Sequence, residues 1–394
     1  MHPPYPEPLW RHPIIFLIIA VLGACTGSFL NVVIYRLPRN LSVNNPKRSF
    51  CPSCKKQIPW YRNLPLVSWI ALRGRCADCG APISARYLMV EAITAFLFVL
   101  VWSSTSHLGW AVSLMHLVLV SLLLSATFID YEHYIIPDGI TWGGAGAGVV
   151  FATIIPLLAS LFPNIGMLVP SKLLPGGVPQ SVWWNSLFFS VLGGICGYAV
   201  LWAVVQLGKL AFGRTVHQFE TALPWKIHEP KPDAEPQFEV GPDIYKLGDL
   251  FSRASDQLVI QSEELALDGS TRPAGEVRVF FDRVVLANET IPLSNVKEIS
   301  GTTRRIVQPR EAMGFGDVKF VAMIGTFLGW QATLFSLIGG ALAGSVVGIL
   351  QKICGGEKWS KPIPFGPYLA LAAFLFLLYG QDCIHWYLHL AGLR

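Results

Sequence analysis

Residues 314–320 read Gly-Phe-Gly-Asp-Val-Lys-Phe, and the stretch from 320 to 350 that they open carries no charged residue. A carboxylate at membrane depth costs about 2.5–3.5 kcal/mol on insertion scales, so an acid beside such a run is rare and usually functional. Asp130 supplies a second one, closing the run Leu-Val-Leu-Val-Ser-Leu-Leu-Leu-Ser-Ala-Thr-Phe-Ile-Asp. Two close carboxylates cannot both ionise cheaply. One keeps a proton while the other activates water, which is the chemistry of an aspartic peptidase. Gly314 and Gly316 have no side chain to obstruct a substrate backbone, and Asp317 falls in a first helical turn, where the helix dipole favours its anion. The competing reading makes Asp317 a helix cap only. Asp138, after Pro137, reads as such a cap for the next helix. Lys319 reads either as an electrostatic partner or as a snorkelling anchor, and Glu132 and His133 as tuners of Asp130 or as parts of a water-facing loop.

Cys51, Cys54, Cys76 and Cys79 form two C-x2-C pairs, each presenting two thiols from one tight turn. Together they suit a closed, structural tetrahedral zinc site. Two disulfides are the alternative, disfavoured if the loop faces the reducing cytoplasm. Cys25, Cys196, Cys354 and Cys383 are scattered and read as small buried hydrophobes.

Elements must hold these groups, and composition says which kind. The chain is 52% hydrophobic and 14% charged, against about 25% charged in soluble domains, with mean hydropathy +0.47. Apolar runs at 14–34, 88–102, 108–129, 140–162, 182–207, two within 320–350, and 365–379 predict eight transmembrane helices. The second and eighth runs are short, and the split of 320–350 at Gly329-Trp330-Gln331 competes with one long helix. Between Arg36 and Arg86 lie ten Lys/Arg and one acid, Asp78, so this loop should face the cytoplasm and the N-terminus the outside. Alternation then puts Asp130, residues 209–316 and the loop at 358–361 on the cytoplasmic side. Leu22-Gly23-Ala24-Cys25 is like a lipoprotein processing site, but the run continues to Ile34 and ends in Tyr35-Arg36, as a retained helix does.

Sixteen of the 25 acidic residues fall within 209–311, which marks a soluble insertion on the scale of a small domain. Residues 224–242 read as a linker. Residues 257–260 and 265–269 read as two strands around a polar turn, with more strand at 276–281, 284–286 and 290–293, giving a small antiparallel β unit. It contains no ligand cluster or glycine loop and reads as a solvated spacer. The expected fold is an all-α polytopic membrane protein with a cytoplasmic four-cysteine zinc loop and a β-rich insertion. Its parts are a first helix (1–36), the loop (37–87), helices with the first aspartate (88–208), the insertion (209–312) and helices with the second aspartate (313–394).

Five segments resemble one family, the bacterial prepilin peptidases, which are bifunctional leader peptidases and N-methyltransferases. They are GSFLNVVIYRLP (27–38), the cysteine loop through Glu91 (51–91), IDYEHYIIPD (129–138), EAMGFGDVKFVAMIGTFLGWQ (311–331) and PFGPYLA (364–370). The resemblance implies that Asp130 and Asp317 are the catalytic pair. It implies a prepilin or pseudopilin substrate held in the membrane, its basic leader cut off at the cytoplasmic face of the bacterial inner membrane. It implies methylation of the new N-terminus from S-adenosylmethionine, with Arg73, Gly74, Arg75, Tyr87 and Glu91 where that activity is placed. Plainer readings stand beside these: a turn for Gly74, positive-inside charges for Arg73 and Arg75, an interfacial anchor for Tyr87, a buried arginine partner for Glu91. Pilus or secretion assembly proteins are possible partners of 209–312, and nothing points to nucleic acid. The alternatives are a peptidase without methyl transfer, and a non-enzymatic zinc-ribbon scaffold or a transporter.

Overall fold

Helix ends and glycines, rather than amphipathic stripes, organise the molecule. The computed structural model describes residues 12–46, 48–51, 53–161, 183–212, 214–228, 236–251, 256–287, 289–309, 314–355 and 363–392. The expected loop at 358–361 lies outside the described residues. The chain divides into two compact units, residues 1–202 with 315–394, and residues 203–314.

In chain order the first helices are α1 (Pro13–Arg36), the short α2 (Val67–Ala71), α3 (Ala85–Thr105), α4 (Trp110–His133), α5 (Asp138–Leu161) and α6 (Trp183–Phe212). Local chemistry sets their ends. Pro13 opens α1, where its missing N–H costs nothing. The Ser84 hydroxyl caps α3 by accepting the Arg86 N–H at 3.3 Å. Tyr134, left-handed at φ 56°, ends α4 with its N–H on the Asp130 carbonyl.

The second unit is a nine-stranded antiparallel sheet. Its strands are β1 (Arg214–His228), β2 (Gln237–Val240), β3 (Asp243–Lys246), β4 (Leu258–Leu267), β5 (Ser270–Arg272), β6 (Gly275–Val279), β7 (Arg283–Leu286), β8 (Glu289–Pro292) and β9 (Glu298–Pro309), with the one-turn α7 (Leu247–Leu250) after β3. The order is β3-β2-β1-β9-β4-β6-β7-β8, with β5 on β4. Trp225, Leu258, Ile260, Val277, Val279, Val284 and Ile299 fill its core.

Two expectations change here. Residues 258–267 make one strand, not two around a turn. Ser262 turns inward to accept the Trp225 indole N–H at 3.1 Å, and bulges flanking it absorb the polar run. The segment 224–242 is not wholly linker: Trp225, Ile227, Phe238 and Val240 alternate inward on β1 and β2, which pair.

The chain returns to apolar helix as α8 (Phe315–Gly355) and ends in α9 (Gly366–Leu390). Six helices among the described residues are long and apolar enough to cross a membrane, or seven if the bent α9 is one span. The sequence predicts eight; the difference lies in the bent α9 and in α8, which counts as one element although it is kinked. Gly329 leaves helical geometry inside it, at φ 83° and ψ 176°, a conformation that only glycine adopts freely. Exposed apolar side chains on α1 such as Ile14, Leu17, Ile18, Val21 and Phe29 suit hydrocarbon rather than water.

The part of α8 before Gly329 is walled in, with Val318, Phe320, Val321, Met323 and Ile324 fully buried. Glycines let its neighbours come that close. A methyl on Gly193 of α6 would collide with the Gly325 carbonyl, and one on Gly197 would lie 2.7 Å from the Val321 oxygen. From α5, a methyl on Gly144 would lie 2.5 Å from the Met323 sulfur. The Ser190 hydroxyl donates to the Thr326 carbonyl at 2.7 Å. Gly27 does the same for α1, where a methyl would lie 2.7 Å from the Glu91 Cα on α3.

This packing makes a prediction. Gly193→Ala should destabilise the membrane unit by about 1–3 kcal/mol, read as a lower thermal midpoint in detergent. Gly143→Ala, which meets nothing within 4 Å, should be neutral or slightly stabilising.

Candidate active site

Asp130 lies in the last turn of α4 and is 5% exposed; Asp317 is the third residue of α8 and is 8% exposed. A solvent-facing cap would not be buried so deeply. The Gly366 N–H, an unpaired donor at the start of α9, reaches Asp130 Oδ2 at 2.8 Å. Ile136 joins the two acids. A methyl on Gly316 would lie 3.4 Å from Ile136 Cβ, and one on Gly366 3.1 Å from Ile136 Cδ1 and 2.7 Å from Asp130 Oδ2. The glycine before Asp317 and the glycine that holds Asp130 thus flank one isoleucine.

Salt bridges fix the surrounding helix ends. Lys319 Nζ lies 2.5 Å from Asp138 Oδ1 and over the Phe315 ring. Asp138 does open α5, and its carboxylate also ties α5 to α8. Arg86, in the first turn of α3, grips both oxygens of Glu132, in the last turn of α4. Glu132 is therefore a structural clasp and not part of a free water-facing loop.

The four cysteines come together as their spacing predicts. Their Sγ atoms all lie within 4.8 Å of one another. The Cys51–Cys79 separation is 3.9 Å, where a tetrahedron with metal–sulfur bonds of about 2.3 Å requires about 3.8 Å. The two knuckles repeat one design. The Cys51 and Cys76 N–H groups donate to the carbonyls of Lys56 and Ala81, five residues on, and the Lys55 and Gly80 N–H groups return to Cys51 and Cys76. Lys55 and Gly80 both take positive φ. All four thiols are free of disulfides. The Cys54 backbone N–H pulls the Cys51 thiol down to about 6.

A cavity of about 350 Å³ opens between this loop and the ends of α1 and α3. Tyr87 and Glu91 line it, with Asn31, Arg36, Trp69 and Asp78; Arg73, Gly74 and Arg75 do not. Arg73 and Gly74 form a turn, φ 52° and 66°, and a methyl on Gly74 would lie 2.8 Å from the Trp69 ring. Gly74 thus bears on the cavity through Trp69. Glu91 Oε2 accepts the Leu66 N–H at 2.7 Å, a backbone partner rather than an arginine. Sequence reasoning did not assign Gly366, although its segment PFGPYLA was noted; a backbone N–H has no side-chain signature. Asn31 was likewise unassigned within GSFLNVVIYRLP.

A family model for the bacterial peptidase A24 N-terminal domain matches residues 21–105, and one for the type IV leader peptidase family matches residues 299–349. Among curated relatives, the prepilin leader peptidase/N-methyltransferase of Aeromonas hydrophila is 29% identical over 400 residues, covering 95% of this chain and 93% of its own. The protein of the same name from Pseudomonas aeruginosa is 26% identical over 414 residues, covering 98% of each. That from Myxococcus xanthus is 41% identical over 189 residues, 48% of this chain and 55% of its own. No solved structure matches.

The two salt bridges should differ in strength. A double-mutant cycle on thermal unfolding should give about 1–2 kcal/mol for Arg86–Glu132, which is mostly shielded and doubly bonded. It should give at most about 1 kcal/mol for Lys319–Asp138, whose carboxylate is 67% exposed.

Proposed function

The chain belongs to the type IV leader peptidase family, and from that premise we propose that it removes the leader from prepilins or pseudopilins and then methylates the new N-terminal amine. The observation that carries the first step is the pair of buried acids at the ends of α4 and α8, one of them held by the Gly366 N–H. The positive-inside bias of residues 36–86 supports a topology with that end of the helices at the cytoplasmic side of the inner membrane and the N-terminus outside. The bond to be cut lies where a prepilin's apolar helix leaves the bilayer.

The chemistry follows from one proton shared by two carboxylates. Asp130 Oδ2 accepts the Gly366 N–H and so presents a lone pair, which suits Asp130 as the ionised partner. It takes a proton from a water between the acids as the water oxygen adds to the scissile carbonyl carbon. Asp317 gives its proton to the carbonyl oxygen. When the tetrahedral adduct collapses, the carbon–nitrogen bond breaks, the departing amine takes the proton held by Asp130, and a hydroxyl of the adduct returns its proton to Asp317 as the carbonyl re-forms. Gly314 and Gly316, ahead of Asp317, leave room for the substrate backbone.

The cysteine cluster fits zinc: four soft thiol donors in two matched knuckles, at a separation that a tetrahedron demands. Cys51, Cys54, Cys76 and Cys79 would hold it, and with no open position it would supply folding energy rather than reactivity. For methyl transfer, S-adenosylmethionine supplies the methyl group, and the cavity lined by Tyr87 and Glu91 has the size and the mix of apolar wall and few polar groups of a small-molecule site. The β-sheet unit, without a catalytic cluster among its described residues, fits a contact surface for pilus or secretion assembly proteins.

Asp130→Asn and Asp317→Asn should each lower the rate of leader removal by about 100-fold or more, followed by gel shift on a co-reconstituted prepilin. Cleavage at the wild-type rate in either variant would refute the pair. Bound zinc, measured by elemental analysis, should be lost at acidic pH, because protons compete with the metal for the thiolates. Cys51→Ser should lower zinc content at neutral pH as well.

A further inference from the structure

Among the described residues, the cavity wall carries one buried polar side-chain atom with no hydrogen-bond partner. Asn31 is 2% exposed, and its amide nitrogen donates to the Tyr87 carbonyl at 3.0 Å. Its Oδ1 is buried with no hydrogen-bond partner. Leaving such an acceptor unpaired costs about 1–3 kcal/mol, so an unmet oxygen in a cavity wall points to a donor that arrives from outside.

The surroundings say which donor. α1 and α3 pack tightly, Gly27 against the Glu91 backbone and Asn31 against Tyr87 one turn along. Asn31 therefore faces the cavity about one helical turn, roughly 5.4 Å, from the level of Glu91. That end of the cavity holds a carboxylate and an acceptor oxygen. Of the two arginines in the lining, Arg36 donates to the carbonyls of Ser42, Val43 and Pro46, and Arg62 pairs with Asp78 at 3.5 Å. Tyr35, Phe50, Trp69 and Tyr87 add aromatic surface, which also favours cations.

We propose that Asn31 Oδ1 accepts a hydrogen bond from the α-ammonium group of S-adenosylmethionine, with Glu91 supplying the opposing charge. Asn31 is then a specificity residue for the amino-acid end of the methyl donor. This rests on the reading of the cavity as the methyl-donor site.

The test is equilibrium binding to full-length enzyme in lipid nanodiscs, with two probes. S-adenosylmethionine carries the ammonium; 5′-methylthioadenosine keeps the nucleoside and sulfur but lacks the amino-acid end. Asn31→Leu should weaken S-adenosylmethionine roughly 10- to 100-fold, the range for a lost hydrogen bond to a charged group, and leave methylthioadenosine within about 3-fold of wild type, which also reports an intact cavity. Equal weakening of both probes would mean that Asn31 shapes the cavity or meets the adenine, and would overturn the proposal. Unchanged binding of both would overturn it too. Wild-type protein that binds neither probe would instead remove the methyl-donor reading of the cavity itself.

Discussion

The membrane unit depends on burying negative charge among apolar helices without leaving it unsupported. Asp130 is the clearest case. Its carboxylate takes the first free N–H of α9, so a donor that the helix start would leave orphaned meets an acceptor that the membrane would leave expensive. Each defect is the other's remedy. A side chain on Gly366 would press into that same carboxylate oxygen, so the bond also explains why the residue there is glycine.

Support for the second acid is of another kind. Asp317 sits at the head of a helical segment that is buried nearly all round and ends at Gly329. Glycines of α5 and α6 let the walls approach to van der Waals contact. In hydrocarbon, helices gain little from the hydrophobic effect and associate instead through close packing and small residues. The precision of Asp317 is thus set by residues that carry no functional group.

What could be read beforehand was what side-chain type announces. Asp130 and Asp317 stand out because charge is so scarce in their surroundings, and the cysteines because their spacing matches two turns. The interruption at Gly329-Trp330-Gln331 was legible from glycine in an apolar run. Backbone donors such as Gly366 were not, nor was the orphan oxygen of Asn31, since both depend on which helices meet. The ion pair of Arg86 with Glu132 joins residues 46 apart in sequence, and no local pattern encodes it. In the sheet unit, polar residues 261–264 hid the continuity of β4, because a bulge and one inward serine can carry a strand through a hydrophilic stretch.

The clasp between α3 and α4 has a kinetic corollary. Arg86 precedes Tyr87, a wall of the cavity, and Glu132 follows Asp130 by two residues. On the proposed reading, a polypeptide severed at the acids emerges beside the compartment where its amine is to be alkylated, still anchored by its own hydrophobic helix. Capture is then intramolecular in character, governed by local concentration rather than by encounter. Methylation would keep pace with proteolysis however dilute the enzyme is in its bilayer.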